Sequence, residues 1–127
     1  MSQFAGIIFD MDGTLVDSEG TWEAAQVAMF SEMGVTYDDE IRQQIIGLRL
    51  DEGLQRVIDA CQLDATAQEL SENLIARMLR LIPQQVDSKP GAQALVEYVA
   101  NLDTPHCVAS SSPLSIIEAT INAQNWQ

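Results

Sequence analysis

Residues 5–18 read AGIIFDMDGTLVDS, an apolar run that ends on two aspartates and a Gly-Thr pair. Gly6-Ile7-Ile8-Phe9 is too short for a helix and carries β-branched and aromatic residues. It reads as a short, fully buried strand of the kind found in parallel sheets. Carboxylates at the end of such a strand are costly unless a cation lies near or they have a task. In open α/β sheets, ligands bind beyond the carboxyl ends of the strands. This opening stretch therefore points to an α/β fold with Asp10 and Asp12 at its working edge.

The pattern then turns helical. Trp22, Ala25, Met29 and Met33 share a face, and Gly34 is a C-terminal stop. A polar turn leads to Ile41, Ile45 and Ile46, and Leu54, Val57, Ile58 and Cys61 mark a further helix. Thr66 and Glu69 have capping-box spacing and open a helix carrying Leu70, Leu74, Met78 and Leu81, which Pro83 should end. After the loop 84–88, Pro90 suits the first turn of a helix with Leu95, Val96, Val99 and Leu102. His106-Cys107-Val108-Ala109 is a second short strand, and Ile116, Ile117 and Ile121 continue as a helix. Ser112 suits its N-cap, with Pro113 at the first helical position. The scheme is a βαβ crossover with a helical block spliced in after the first strand.

Strand residues two apart point to one side, about 6.6 Å apart. Two carboxylates about 6 Å apart at an effective dielectric near 20 repel by roughly 3 kcal/mol. A divalent cation removes that cost. Mg²⁺ suits the place, because it takes oxygen ligands, keeps waters and needs only one or two carboxylates plus phosphate. Gly13 lets the chain turn sharply beside a ligand. An EF-hand loop also begins D-x-D, but its sixth and twelfth positions should be Gly and Glu. Counted from Asp10 these are Leu15 and Thr21, so that reading is rejected. A bare D-x-D would otherwise read as a strand-ending turn and helix cap.

The longer string FDMDGTLVDSE resembles the first motif of the haloacid dehalogenase-like superfamily of phosphotransferases, hhhDxDGTLxDS. CVASSSP resembles the second motif, an apolar strand ending in Ser or Thr. IGLRLDEGL and the stretch Asp17-Ser18-Glu19-Gly20-Thr21-Trp22 look like the subgroup of β-phosphoglucomutases and sugar-phosphate phosphatases. The resemblance implies a partial Rossmann-like core of parallel strands, residues 1–17 and 85–127, with residues 18–84 as an inserted α-helical cap. It implies Asp10 as nucleophile forming an aspartyl-phosphate and Asp12 as general acid/base. Mg²⁺ would sit on the Asp10 carboxylate and the Asp12 backbone carbonyl. Ser110 would hydrogen-bond the phosphoryl group, helped by backbone amides near Met11, Asp12 and Ser111. Glu19, Trp22 and Arg49 are candidate substrate contacts. Trp22 on an apolar stripe equally suits the core, and Arg49 equally suits a surface ion pair. Mutases of the subgroup carry histidine where Trp22 stands and often lack the threonine that Thr14 supplies, which favours a phosphatase of small phosphorylated metabolites. His106, the only histidine, reads as structural.

The formal net charge of −13 argues against nucleic-acid partners and anionic membrane surfaces. No apolar segment is long enough to span a bilayer. The opening apolar stretch lacks a basic lead, so no signal peptide is expected and the cytoplasm is the default. Cys61 and Cys107 make no framework or metal spacing and read as reduced, buried thiols. The family pattern also calls for a lysine and an acidic pair after the second motif. The sole lysine is Lys89, and the sole acidic residue after Ala109 is Glu118. The expectation is a C-terminally truncated enzyme with little turnover of its own. Completion by another chain, self-association, or a non-catalytic binding module on the same fold stay open.

Overall fold

The structure, a computed structural model, describes residues 4–126; positions 1–3 and 127 of the expected core segments lie outside them. The elements in chain order are β1 (Ile7–Asp10), β2 (Val16–Asp17), α1 (Glu19–Glu32), α2 (Asp39–Ile45), α3 (Leu50–Cys61), α4 (Ala67–Gln85), β3 (Asp87–Ser88), α5 (Ala92–Ala100), β4 (His106–Ala109) and α6 (Leu114–Gln124). The chain divides into two compact units. One comprises residues up to Gly20 together with those from Leu81 onward, and the other is Thr21–Arg80.

In the first unit β1 and β4 pair in parallel, in register from Ile7↔His106 to Asp10↔Ala109. A parallel pair requires a crossover connection, and α5 lies within it, as the βαβ reading expects. The carboxyl ends of the two strands thus lie side by side. Whatever follows Asp10 and whatever follows Ala109 must emerge at the same edge.

The strands are not fully buried, contrary to the sequence reading. Ile8 is 72% exposed, and its register partner Cys107 is also exposed. Among the described residues this sheet has two strands, so the face bearing Ile8 and Cys107 has no cover. The same fact corrects the expected burial of Cys107, which is exposed, and Cys61, at the end of α3, is half-buried rather than buried; both are free.

A second sheet escaped the sequence reading. β2 and β3 pair antiparallel, Val16↔Ser88 and Asp17↔Asp87. The Lys89 amide extends the contact by donating to the Leu15 carbonyl at 2.8 Å. The stretches that leave and re-enter the first unit are therefore fastened together. Met11, Leu15, Val16, Val86, Val99 and Ile116 are buried in this unit.

Three predicted boundaries shift. Pro83 lies inside α4, which runs on to Gln85; the missing N–H removes one bond near the end of the helix, where little remains to break. Pro90 precedes α5, whose N-cap is Gly91 at φ 82°. Ser112 does not cap α6, because Pro113 holds the N-cap position and makes no side-chain cap bond.

In the second unit, Ala25, Met29, Phe30, Leu54, Val57, Leu74 and Met78 are buried. These follow the helical spacing of the sequence, and α1 ends just before Gly34 as expected. Asp38 caps α2 by accepting from the Ile41 amide at 3.0 Å. The capping box forms as its spacing predicts: the Glu69 amide donates to Thr66 Oγ1 at 3.1 Å and the Thr66 amide to Glu69 Oε2 at 3.5 Å. At Gly53 a Cβ would sit 3.0 Å from the Ile45 Cα, so the absent side chain lets α2 and α3 approach. No helix among the described residues is long and apolar enough to cross a membrane.

Candidate active site

The chain turns immediately after β1. The Met11 carbonyl accepts from the amides of Thr14, Leu15 and Val16 at 3.2, 2.9 and 3.2 Å, and the Gly13 amide returns to the Val16 carbonyl at 2.9 Å. Gly13 adopts φ 78°, a left-handed conformation that other residues enter at a cost. Buried Met11, Leu15 and Val16 anchor the turn from below. β1 ends at Asp10, so Asp12 belongs to the turn, and the strand spacing used to place it does not apply.

The exposed Asp10 carboxylate accepts a hydrogen bond from the Thr14 hydroxyl at 3.0 Å through Oδ2. Asp12 is half-buried and accepts three hydroxyls. Ser18 donates to Oδ1 at 2.6 Å, while Ser112 and Ser110 donate to Oδ2 at 2.7 and 3.2 Å. The two motifs, nearly a hundred residues apart in sequence, therefore meet at one carboxylate. They do so because β1 and β4 end together.

This arrangement explains why Ser112 leaves the helix uncapped. A hydrogen bond to a charged acceptor contributes about 1.5–3 kcal/mol, against about 1 kcal/mol for an N-cap. The carboxylate wins the hydroxyl. Ser112 still uses its amide locally, donating to Ser110 Oγ at 3.0 Å. Sequence reasoning missed both Ser112 and Ser18 at this site. The signal available for Ser18 was its place inside the DGTLVDS string; nothing local marked Ser112.

The other predicted residues separate. Met11 is buried in the turn and Ser111 is exposed beside Ser110. Glu19 opens α1 with Oε1 3.5 Å from where a Gly13 Cβ would lie, so it stands beside the turn. Trp22 and Arg49 belong to the other unit. Trp22 is half-buried. Arg49 lies 3.6 Å from Asp51, both side chains well exposed, which matches the surface-pair alternative. His106 makes a 2.9 Å contact through Nδ1 with the Thr104 carbonyl, in keeping with a structural role.

The donor set bears on the expected magnesium. Among the described residues no group of three His, Cys, Asp or Glu could hold a metal. What the turn offers is one exposed carboxylate and backbone oxygen, since the Asp12 carboxylate is already engaged by hydroxyls. An oxygen-only set with one exposed carboxylate, one of whose oxygens accepts from Thr14, fits a cation such as Mg²⁺ that keeps most of its waters. A separate cleft of about 400 Å³, lined by Phe9, Val96, Val108, Ile121 and Trp126 among others, contains neither aspartate.

The profile of a family described as haloacid dehalogenase-like hydrolase matches residues 7–127. The chain is 32% identical to the 6-phosphogluconate phosphatase of Escherichia coli K12, over 98% of this chain and 56% of that protein. It is 31% identical to hexitol phosphatase B of the same organism, over 94% and 54%. The crystal structure of CbbY from Rhodobacter sphaeroides in complex with phosphate superposes with a TM-score of 0.81 at 22% identity, covering 94% of this chain and 56% of that one. That last likeness is one of fold. The chain spans about half the length of the curated relatives it matches.

Proposed function

Because this chain belongs to the haloacid dehalogenase-like hydrolase family, we propose that it carries the nucleophile and acid–base groups of a Mg²⁺-dependent phosphatase acting on small phosphorylated metabolites, sugar phosphates foremost. The observation that carries the reading is the Ser110–Asp12 contact, which joins the two motifs in one place. The two curated relatives, a 6-phosphogluconate phosphatase and a hexitol phosphatase, support the substrate class.

Asp10 is the nucleophile. Its carboxylate oxygen bonds to phosphorus as the phosphorus–alcohol oxygen bond breaks, giving an aspartyl-phosphate. Asp12 protonates the departing alcohol oxygen, then takes a proton from the water that attacks phosphorus and frees Asp10. Thr14 engages one Asp10 oxygen, Oδ2, at 3.0 Å, which leaves Oδ1 to attack and biases, without fixing, the orientation of the carboxylate. Ser110 and the amides of Met11, Asp12 and Ser111 receive the phosphoryl oxygens. The Asp10 carboxylate and the Asp12 backbone carbonyl would hold Mg²⁺, which when bound screens the nucleophile from the phosphate charge. The helical unit is the cap, with Trp22 and Arg49 as its candidate contacts with substrate, and Glu19 is a further candidate contact from beside the turn.

Beryllofluoride binding tests the reading. In the presence of Mg²⁺ the chain should give a bound ¹⁹F resonance that Asp10→Asn abolishes. A bound resonance that survives in Asp10→Asn would remove the nucleophile assignment.

A further inference from the structure

We propose that Ser18 and Ser112 are positioning residues for Asp12, and that Ser110 is an exchangeable third donor which an arriving phosphoryl group takes over. The exchange rests on the phosphatase reading above; the positioning rests on the geometry alone.

A serine hydroxyl has one hydrogen and can donate it once. Asp12 draws on three such hydrogens, and they are not equivalent. The Ser18 and Ser112 contacts, 2.6 and 2.7 Å, lie in the short range of hydroxyl-to-carboxylate bonds. The Ser110 contact, at 3.2 Å, exceeds the usual range. The two short bonds also reach different oxygens. One donor would leave the side chain able to turn about both of its bonds, whereas two on opposite oxygens, from separate segments of the chain, hold its rotamer as well as its plane.

The donors themselves stand on ordered ground. Ser18 is 3% exposed and directly precedes α1, and Ser112 lies just ahead of α6. Ser110 differs. Its oxygen is fixed by the Ser112 amide at 3.0 Å, which occupies a lone pair and leaves the hydroxyl hydrogen able to swing. Ser110 is thus the one member whose position is held while its proton is loosely committed. A phosphoryl oxygen that takes this proton takes it at the least loss to Asp12, which keeps its two short bonds.

The test reads Asp12 directly by NMR on the isotopically labelled 127-residue chain. Three-bond Hα–Hβ couplings report whether its side chain holds one rotamer. The wild-type chain should show couplings distinct from the averaged pair of a freely turning side chain. Ser18→Ala and Ser112→Ala should each lose that distinction, Ser112→Thr should restore it, and Ser110→Ala should keep it. Should Ser112→Ala lose its dispersed amide spectrum, Ser112→Cys replaces it, with the same loss expected because a thiol is a weak donor. Wild-type couplings in both Ser18→Ala and the folded Ser112 variant would overturn the positioning role.

Inorganic phosphate with Mg²⁺ then separates the two ideas. The Asp12 carboxyl carbon should shift saturably in the wild-type chain and not in Ser110→Ala. Distinct couplings with no phosphate response at Asp12 or Ser110 overturn the exchange and count against the phosphatase reading, while the positioning stands. Averaged couplings in the wild type with a saturable response at the Ser110 amide overturn the positioning and support the phosphatase reading.

Discussion

Two glycines near the site should respond to alanine with opposite signs. Gly13 sits at φ 78° in the turn between Asp12 and Thr14. An alanine there adopts a left-handed conformation at a cost of roughly 1–2 kcal/mol. Restricting the unfolded chain returns about 0.4–1 kcal/mol. The new Cβ would lie 3.5 Å from Glu19 Oε1, ordinary contact distance, so no clash is added. The net expectation is a loss of about 1 kcal/mol. Gly20 lies within α1 and is not among the glycines of positive φ, and a Cβ there would meet nothing within 4 Å. Alanine there should gain about 0.5–1 kcal/mol, the usual helix preference over glycine. Urea unfolding followed by circular dichroism separates them, because a midpoint shift scales as the energy divided by a slope of about 1–3 kcal/mol per molar. Gly13→Ala should move the midpoint down and Gly20→Ala up. If Gly13→Ala is as stable as the wild type, the turn is not left-handed at that position and the placement of Asp12 derived from it fails.

Thr66→Ala removes one half of the capping box and should lower stability by about 1 kcal/mol in the same assay. Tyr37 has its phenol pKa raised above the ordinary 10.0 by burial first and by Glu23 second, with Arg42 opposing. Between the unfolded and folded pKa values the native state binds more protons, so stability should fall as pH climbs past about 10, and Tyr37→Phe should remove that part of the alkaline loss. Assayed alone on p-nitrophenyl phosphate with Mg²⁺, the 127-residue polypeptide should turn over little or nothing, since its sole lysine is Lys89; robust turnover abolished by Asp10→Asn would contradict this.

Legibility in the sequence followed the range of the forces involved. The strand before Asp10, the second strand His106–Ala109, the Thr66–Glu69 box and the Gly34 stop are set by neighbours within a few residues, and the structure has them all. Ser112 reads as a cap from its neighbours alone, while the acceptor that outcompetes the helix lies 100 positions away. β2 and β3 are two residues each, too short for any periodicity, and exist only through each other. The exposure of Ile8 and Cys107 was hidden for a related reason. An apolar run reports what a strand can bury, not what covers it.

The antiparallel pair Val16–Asp17 and Asp87–Ser88 has a consequence for how such chains change over time. Topologically, everything between those strands is the loop of a hairpin. Closing a flexible loop becomes harder only with the logarithm of its length, about 0.6 kcal/mol per doubling. A gene could lengthen, shorten or exchange that segment at small thermodynamic penalty while the neighbouring aspartate turn kept its shape.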